Sequence, residues 1–239
     1  MQALFFLFSK KAATFKHVFF CNLSWHFFYI RCMIQSQQKL PMLSPRLEAL
    51  GDGIFSVAMT ILVIELKLPD VKGEDWNEFL KALWLSSHGL LCYVISFIIL
   101  GIMWFGHRMM FEYIGKTNRY FIFLGVLFYM IVCLVPFSTR FLAEHTLKWY
   151  AILMYGLNLS LCNITLYLQW SYGIRRASLL EKPIPEEVKK EARISFLLSP
   201  LVYTVAILIS FYFPIVSIFI YVLTPIVYLL PSKLDKYLP

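Results

Sequence analysis

Charged side chains bracket one apolar stretch, PRLEALGDGIFSVAMTILVIELKLPD (residues 45–70). Arg46, Glu48 and Asp52 lie near its start, and Glu65 and Lys67 near its end. At the edge of a membrane span such groups either pair with neighbouring helices or draw ions toward a water-filled path. At 1.5 Å per residue, Asp52 stands roughly 10 Å inside the helix. An ionised carboxylate at that depth seldom faces lipid and takes a polar partner. Glu48, four residues earlier, shares its face and repels it. Arg46 is six residues away, on a different side of the helix. The partners within reach are His107, Arg108 and Arg119, at the ends of the next two apolar stretches. A polar cluster is therefore expected, with Asp52 tying the first helix to the second or third.

Other chemistries have little to stand on. His17, His26, His88, His107 and His145 are scattered without ligand spacing. The cysteines (Cys21, Cys32, Cys92, Cys133 and Cys162) form no CxxC pair and read as small apolar fillers. No Gly-rich phosphate loop, HExxH or nucleophile elbow occurs. Neither enzyme, metal site nor cofactor is indicated.

The elements that must position Asp52 follow from composition. Hydrophobic residues make up 59% of the 239 and charged residues 15%, against roughly 45–50% and 25% in soluble domains. The mean hydropathy of +0.68 agrees. This is the composition of an all-α integral membrane protein. The net charge of +8 then reports orientation rather than nucleic-acid binding. A crossing needs about 20 apolar residues, and six stretches qualify: 46–68, 82–106, 119–139, 149–173, 194–213 and 215–231. The FYFPI turn around Pro214 makes the last two a hairpin. The polar segment IRRASLLEKPIPEEVKKEAR reads as a solvated loop leading into a short amphipathic run.

With the N-terminus in the cytoplasm, all but Lys67, Lys72, Lys81, Arg140 and Lys148 of the 22 lysines and arginines fall inside. The positive-inside bias therefore places both termini in the cytoplasm. The expected organisation is an N-terminal extension (1–43), a six-helix unit (44–231) and a cytoplasmic tail (232–239). The extension is aromatic but interrupted by Asn22, His26 and Arg31. It reads either as an interfacial anchor or as lying ahead of a true start at Met33 or Met42, outside the mature protein.

Ser44 before Pro45 is a good helix start, through a side-chain cap and a proline whose missing N–H costs nothing there; Pro69 is its stop. Two stripes run along the helix. One is branched: Ile54, Val57, Ile61, Ile64 and Leu68. The other is small: Ala49, Gly53, Ser56 and Thr60. Two readings stand side by side. In one, the small stripe packs against helices and the branched stripe meets lipid. In the other, the helix lines a pore, with branched side chains as a constriction and Ser56 or Thr60 exposed to ions.

RLEALGDGIFSVAMTILVIELKLP resembles the first-helix signature of the transmembrane protein 175 family of potassium channels, usually R-x-x-x-F-S-D. Other segments look like its later helices: YVISFIILGIMWFGHRMMFEYIGKTNR with Trp104 and His107, LVPFSTRFLAEH, and IYVLTPIVYLLPSKLDKYL. The resemblance covers 45–239. It implies a six-helix, potassium-permeable channel, and a single unit resembles the prokaryotic, homotetrameric branch, a multi-pass protein of the plasma membrane. First helices line the pore in that family. By position, Val57, Ile61 and Ile64 would form the constriction, with Ser56 and Thr60 as the polar lining. Arg46, Leu50, Gly51, Asp52, Trp104 and His107 would form the motif and helix-end cluster. Leu50-Gly51 departs from the usual Phe-Ser: an aromatic packing surface and a hydroxyl are lost, and glycine loosens the helix by about 1 kcal/mol. Val57 is smaller than usual and implies a wider upper ring. A coupled secondary transporter or a non-conducting scaffold are the alternatives.

Overall fold

The computed structural model describes residues 42–66 and 75–229. Apart from two dipeptide strands and one 3-10 turn, the regular structure there is helical. The helices are α1 (Pro45–Ile64), α2 (Trp76–Tyr113), α3 (Arg119–Val132), α4 (Val135–Glu144), α5 (Trp149–Arg175), α6 (Glu186–Ser210) and α7 (Pro214–Leu229). Five stretches are long and apolar enough to cross a membrane: Pro45–Ile64, Ser86–Tyr113, Arg119–Glu144, Trp149–Arg175 and Glu186–Ser210. A shorter apolar helix covers Pro214–Tyr228. The protein is thus an all-helical, multi-pass integral membrane protein. The expected extension (1–43), tail and Pro69 stop lie outside the described residues, save for residues 42 and 43.

Sequence expectation and structure differ at several boundaries, each for a local reason. α2 runs for 38 residues, beyond the expected 82–106, because no proline interrupts it. The Asp75 carboxylate caps it, accepting the Asn77 N–H at 3.1 Å. The third stretch breaks at Cys133–Leu134. Pro136, in the first turn of α4, has no N–H to donate to the turn before it. The amphipathic run after Pro185 is no separate element: it is the first turns of α6. The FYFPI turn is present, with the Phe213 N–H bonded to the Ile209 carbonyl at 2.8 Å.

α5 is the central element, packing against α3, α4, α6 and α7. Its buried side includes Tyr155, Leu159, Cys162 and Leu166. Cys92 and Cys162 are buried apolar fillers, while Cys133 is exposed. Several polar groups inside the bundle form helix-to-helix bonds, as a low-dielectric interior favours, while Ser160 Oγ, Trp170 Nε1 and both side-chain polar atoms of Gln169 are buried without a hydrogen-bond partner among the described residues. Asn158 Nδ2 donates to Ser138 Oγ at 2.9 Å. Ser96 Oγ lies 2.8 Å from Tyr155 OH and accepts from Thr139 Oγ1 at 2.9 Å. These bonds fasten α4 to α2 and α5. Asn163 turns back to the Leu159 carbonyl.

At the Arg46 end, backbone bonds gather the connections. The Ser44 N–H reaches the Gly115 carbonyl at 3.2 Å, and the Glu181 N–H reaches the Tyr113 carbonyl at 2.9 Å. Lys182 pairs with Glu112 at 2.6 Å, a bond that holds its ammonium above the usual lysine range.

Candidate functional site

α1 has two sides of different character. Toward the bundle it presents Leu47, Gly51, Phe55, Ala58 and Leu62, all buried, at spacings of four, four, three and four. These meet α2, α3 and α4. Away from the centre of that side Val57 (56%), Ile61 (37%) and Ile64 (76%) are exposed. Gly53, Ser56 and Thr60 are exposed beside them. A Cβ added at Gly53 would meet nothing within 4 Å. The small stripe therefore does not pack against the described helices of its own chain. A third stripe packs within the chain; of the branched stripe Val57, Ile61 and Ile64 are exposed, Ile54 is half-buried against the core and Leu68 lies outside the described residues.

Each hydroxyl on the open side bonds to its own helix. Ser56 Oγ donates to the Asp52 carbonyl at 2.7 Å, and Thr60 Oγ1 to the Val57 carbonyl at 2.8 Å. With each proton committed to the backbone, what remains on these oxygens is acceptor capacity. Beside a water-filled path, that suits a cation.

Of the first-helix motif Gly51 is buried, while Arg46, Leu50 and Asp52 are exposed. Trp104 Nε1 donates to Asp52 Oδ1 at 2.8 Å, so the partner of Asp52 is an indole N–H on α2, not His107, Arg108 or Arg119. Arg108 instead lies over the Trp104 ring, 5.8 Å from its centroid. Arg119 begins α3 and is exposed, as is Arg46. Sequence spacing could not single out Trp104, because an indole N–H carries no charge and stands among apolar residues.

His107 is fully buried and bonds Tyr129 OH through Nε2 at 2.8 Å. The Tyr129 hydroxyl donates its one proton to the Leu47 carbonyl, also at 2.8 Å. Nε2 must therefore carry the imidazole proton. The chain His107–Tyr129–Leu47 links α2, α3 and α1. Gly51 lies against it, and a Cβ there would stand 2.6 Å from His107 Cε1 and 2.7 Å from Tyr129 OH. The glycine is thus a contact position, not a loosened one. Leu50 is 49% exposed, so the motif's aromatic position has little packing area within the chain to lose.

The far end of α1 holds a cluster that sequence reading missed. Arg140 Nη1 meets Glu65 Oε2 at 2.7 Å, and its Nε meets Glu144 Oε1 at 3.1 Å. The i, i+4 spacing of Arg140 and Glu144 was the available signal; Glu65, 75 residues away in sequence, gave none.

A double-mutant cycle tests the motif contact. Trp104→Phe and Asp52→Ala should each lower thermal stability in detergent by about 1 kcal/mol. Together they should cost little more than either alone. Full additivity would show that the bond contributes nothing.

Of the two ends, the Asp52 end fixes α1 to the bundle, leaving its Val57–Ile64 side uncovered by any other part of the described chain. A cavity of about 820 Å³ opens elsewhere, between α2, α5, α6 and α7, and α1 contributes nothing to its wall.

Comparison with known proteins places this arrangement. The family model described as "Endosomal/lysosomal potassium channel TMEM175" matches residues 46–136, from Arg46 through α3 into the start of α4. A potassium channel of Streptomyces collinus is 31% identical over 174 residues, 70% of this chain and 82% of that protein. A potassium channel of a Chryseobacterium species is 28% identical over 195 residues, 80% of this chain and 95% of that one. Among solved structures, a lysosomal potassium-selective channel TMEM175 homolog from Chamaesiphon minutus superposes with a TM-score of 0.68 at 25% identity. That match covers 80% of this chain and 98% of the other. With the charged motif, the Trp104 contact and the packing of α1 already described, these matches show that the chain belongs to the TMEM175 family.

Proposed function

We propose that the protein is a potassium-permeable cation channel, a homotetramer in which the exposed sides of four α1 helices surround a central path. One observation carries this reading. The exposed side of α1 combines branched apolar residues with hydroxyls whose protons are already used, while its other side is locked into the bundle. A lipid-facing helix has no need of that polar component, and a helix packed inside its own chain would have it covered. The names of the bacterial relatives, both potassium channels, support the choice of ion.

In this reading Val57, Ile61 and Ile64 form successive apolar rings. Such rings exclude water when narrow and pass a partly hydrated cation when slightly wider. Ser56 and Thr60 offer acceptor oxygens between them. Preference for potassium over sodium then comes from ring size and these oxygens, and is moderate. The arrangement has six crossings, with α7 returning from α6 as a hairpin, and both termini are cytoplasmic. At the Asp52 end, the Trp104 and His107–Tyr129 contacts hold α1 at a fixed angle to the bundle, and this sets the ring diameter.

A coupled transporter would need ionisable or labile polar groups at mid-depth. Asn158 and Asn163 are instead engaged in the helix bonds described above.

Potassium efflux from liposomes holding the purified full chain tests the reading. The expected flux is fast, downhill and independent of any second ion. Flux that saturates at low rates and requires a counter-ion would overturn it in favour of a transporter. No flux from folded, tetrameric protein would favour a scaffold.

A further inference from the structure

The cavity of about 820 Å³ away from α1 is confined to one depth of the bundle. Its wall takes α2 from Phe97 to Tyr113, α5 from Asn163 to Trp170, α6 from Val188 to Tyr203 and α7 from Thr224 to Tyr228. On all four helices these residues fall wholly or mostly in the half nearer the Asp52 end. Along α2 the wall spans roughly 24 Å, close to the depth of one leaflet with its headgroups rather than of a whole bilayer. The exposed members of the wall are all large and apolar: Phe97, Phe105, Ile194, Leu198 and Val227. Such a surface suits acyl chains. Toward the helix ends stand two groups that an acyl chain cannot satisfy. Glu191, five residues into α6, is the one charged side chain in the wall; it is half-buried and has no ion pair among the described residues. Trp170, five residues before the end of α5, is 3% exposed, and its Nε1–H is buried with no acceptor among those residues. Both stand roughly 7–8 Å from their helix ends, and so near one level.

We infer that this cavity binds a phospholipid of the leaflet at the Asp52 end whose headgroup carries a primary ammonium, phosphatidylethanolamine. An acyl chain fills the apolar part, the ammonium donates to the Glu191 carboxylate, and a phosphate or ester oxygen accepts the Trp170 N–H. Each unsatisfied group then has a partner. A carboxylate beside acyl chains costs free energy unless a cation is bonded to it, and so does a buried N–H without an acceptor. The acid also selects the headgroup. Choline has no N–H to donate, and a glycerol headgroup brings no cation. Lys190 and Arg193, the nearest cations along α6, are exposed and form no part of the wall, where a site for an anionic headgroup would place them. The site does not depend on the pore reading above.

Native mass spectrometry of the purified full chain tests this by the lipid retained per chain. The protein is equilibrated in detergent with equal amounts of dioleoyl phosphatidylethanolamine, phosphatidylcholine and phosphatidylglycerol. Retention of phosphatidylethanolamine should exceed that of either other lipid at least about threefold. Glu191→Gln should abolish the preference while some lipid stays bound, and Trp170→Phe should lower retention of all three alike. Ala192→Phe, which places a ring in the cavity wall, should lower total retention. Should that variant fail to fold, Glu191→Gln decides, because its half-buried position tolerates an amide of the same size. Equal retention of the three lipids by the wild type, or an unchanged preference in Glu191→Gln, overturns the assignment. A preference for phosphatidylglycerol also overturns it, since Lys190 and Arg193 would then be recognising an anionic headgroup. If Ala192→Phe dissociates the oligomer while lipid retention is unchanged, the cavity receives a second copy of the chain and the lipid assignment is wrong.

Discussion

Gly51→Ser, although it restores the residue that the family motif usually carries, is expected to destabilise this protein by about 1–3 kcal/mol. Two effects oppose one another. Replacing a mid-helix glycine with a better helix former gains up to about 1 kcal/mol. Against this, the new Cβ would stand 2.6 Å from His107 Cε1 and 2.7 Å from Tyr129 OH, closer than real Cβ atoms come. Both rings are buried and hydrogen-bonded to one another. Moving either one lengthens the His107–Tyr129 bond or the Tyr129–Leu47 bond, so the contact cost wins. Gly53→Ala is the matching control. It sits two residues away on the open side, where a Cβ meets nothing within the chain, and should leave protomer stability unchanged or slightly raised. Thermal unfolding in detergent checks the pair. Equal midpoints for Gly51→Ser and the wild type would remove the proposed contact.

Ile61→Asn should raise potassium conductance at least about tenfold, equivalent to about 1.4 kcal/mol off the barrier, and lower the preference for potassium over sodium. The side chain is 37% exposed, so the substitution leaves no cavity in the bundle and the fold should survive. In every copy it replaces an apolar surface with an amide that holds water. The barrier of a hydrophobic constriction is largely the cost of wetting it, and in the proposed tetramer four amides at one level remove much of that cost. Ile61→Leu, which keeps the volume and the apolar surface, should stay close to the wild type. Ion-flux measurements with potassium and with sodium read both quantities. An unchanged ratio and rate for Ile61→Asn would place the constriction elsewhere.

These two substitutions lie ten residues apart on one helix and act through different sides of it, about 80° apart. The division of α1 into a clamped side and an open side is what makes a channel reading physical. A helix free on both sides could rotate, and the ring diameter would be undefined. The bonds from Trp104 and Tyr129 fix rotation at one end, and Arg140 holds the other.

Several features were legible in the sequence because they depend on short spacing and bulk composition. Apolar stretches of about 20 residues between charged segments identified a multi-pass helical protein, and the FYFPI turn identified the hairpin. The charged first-helix motif, with Trp104 and His107 downstream, pointed to the family. Other features required the tertiary structure. Periodicity says which residues share a side, but not which side meets the bundle. A third stripe, with Leu47, Phe55 and Leu62, was equally apolar, and only packing against α2, α3 and α4 chose it. Spacing likewise suggested charged partners for Asp52, whereas the actual donor is an indole nitrogen 52 residues away. The same holds for Glu65 and Arg140, 75 residues apart. Gly51 is the clearest case. Read along the chain, it is a weak point in a helix. In the folded protein it is the place where the helix must have no side chain, because two bonded rings from α2 and α3 occupy the space. Local sequence determines what each helix is; only the meeting of distant helices decides what each residue is for.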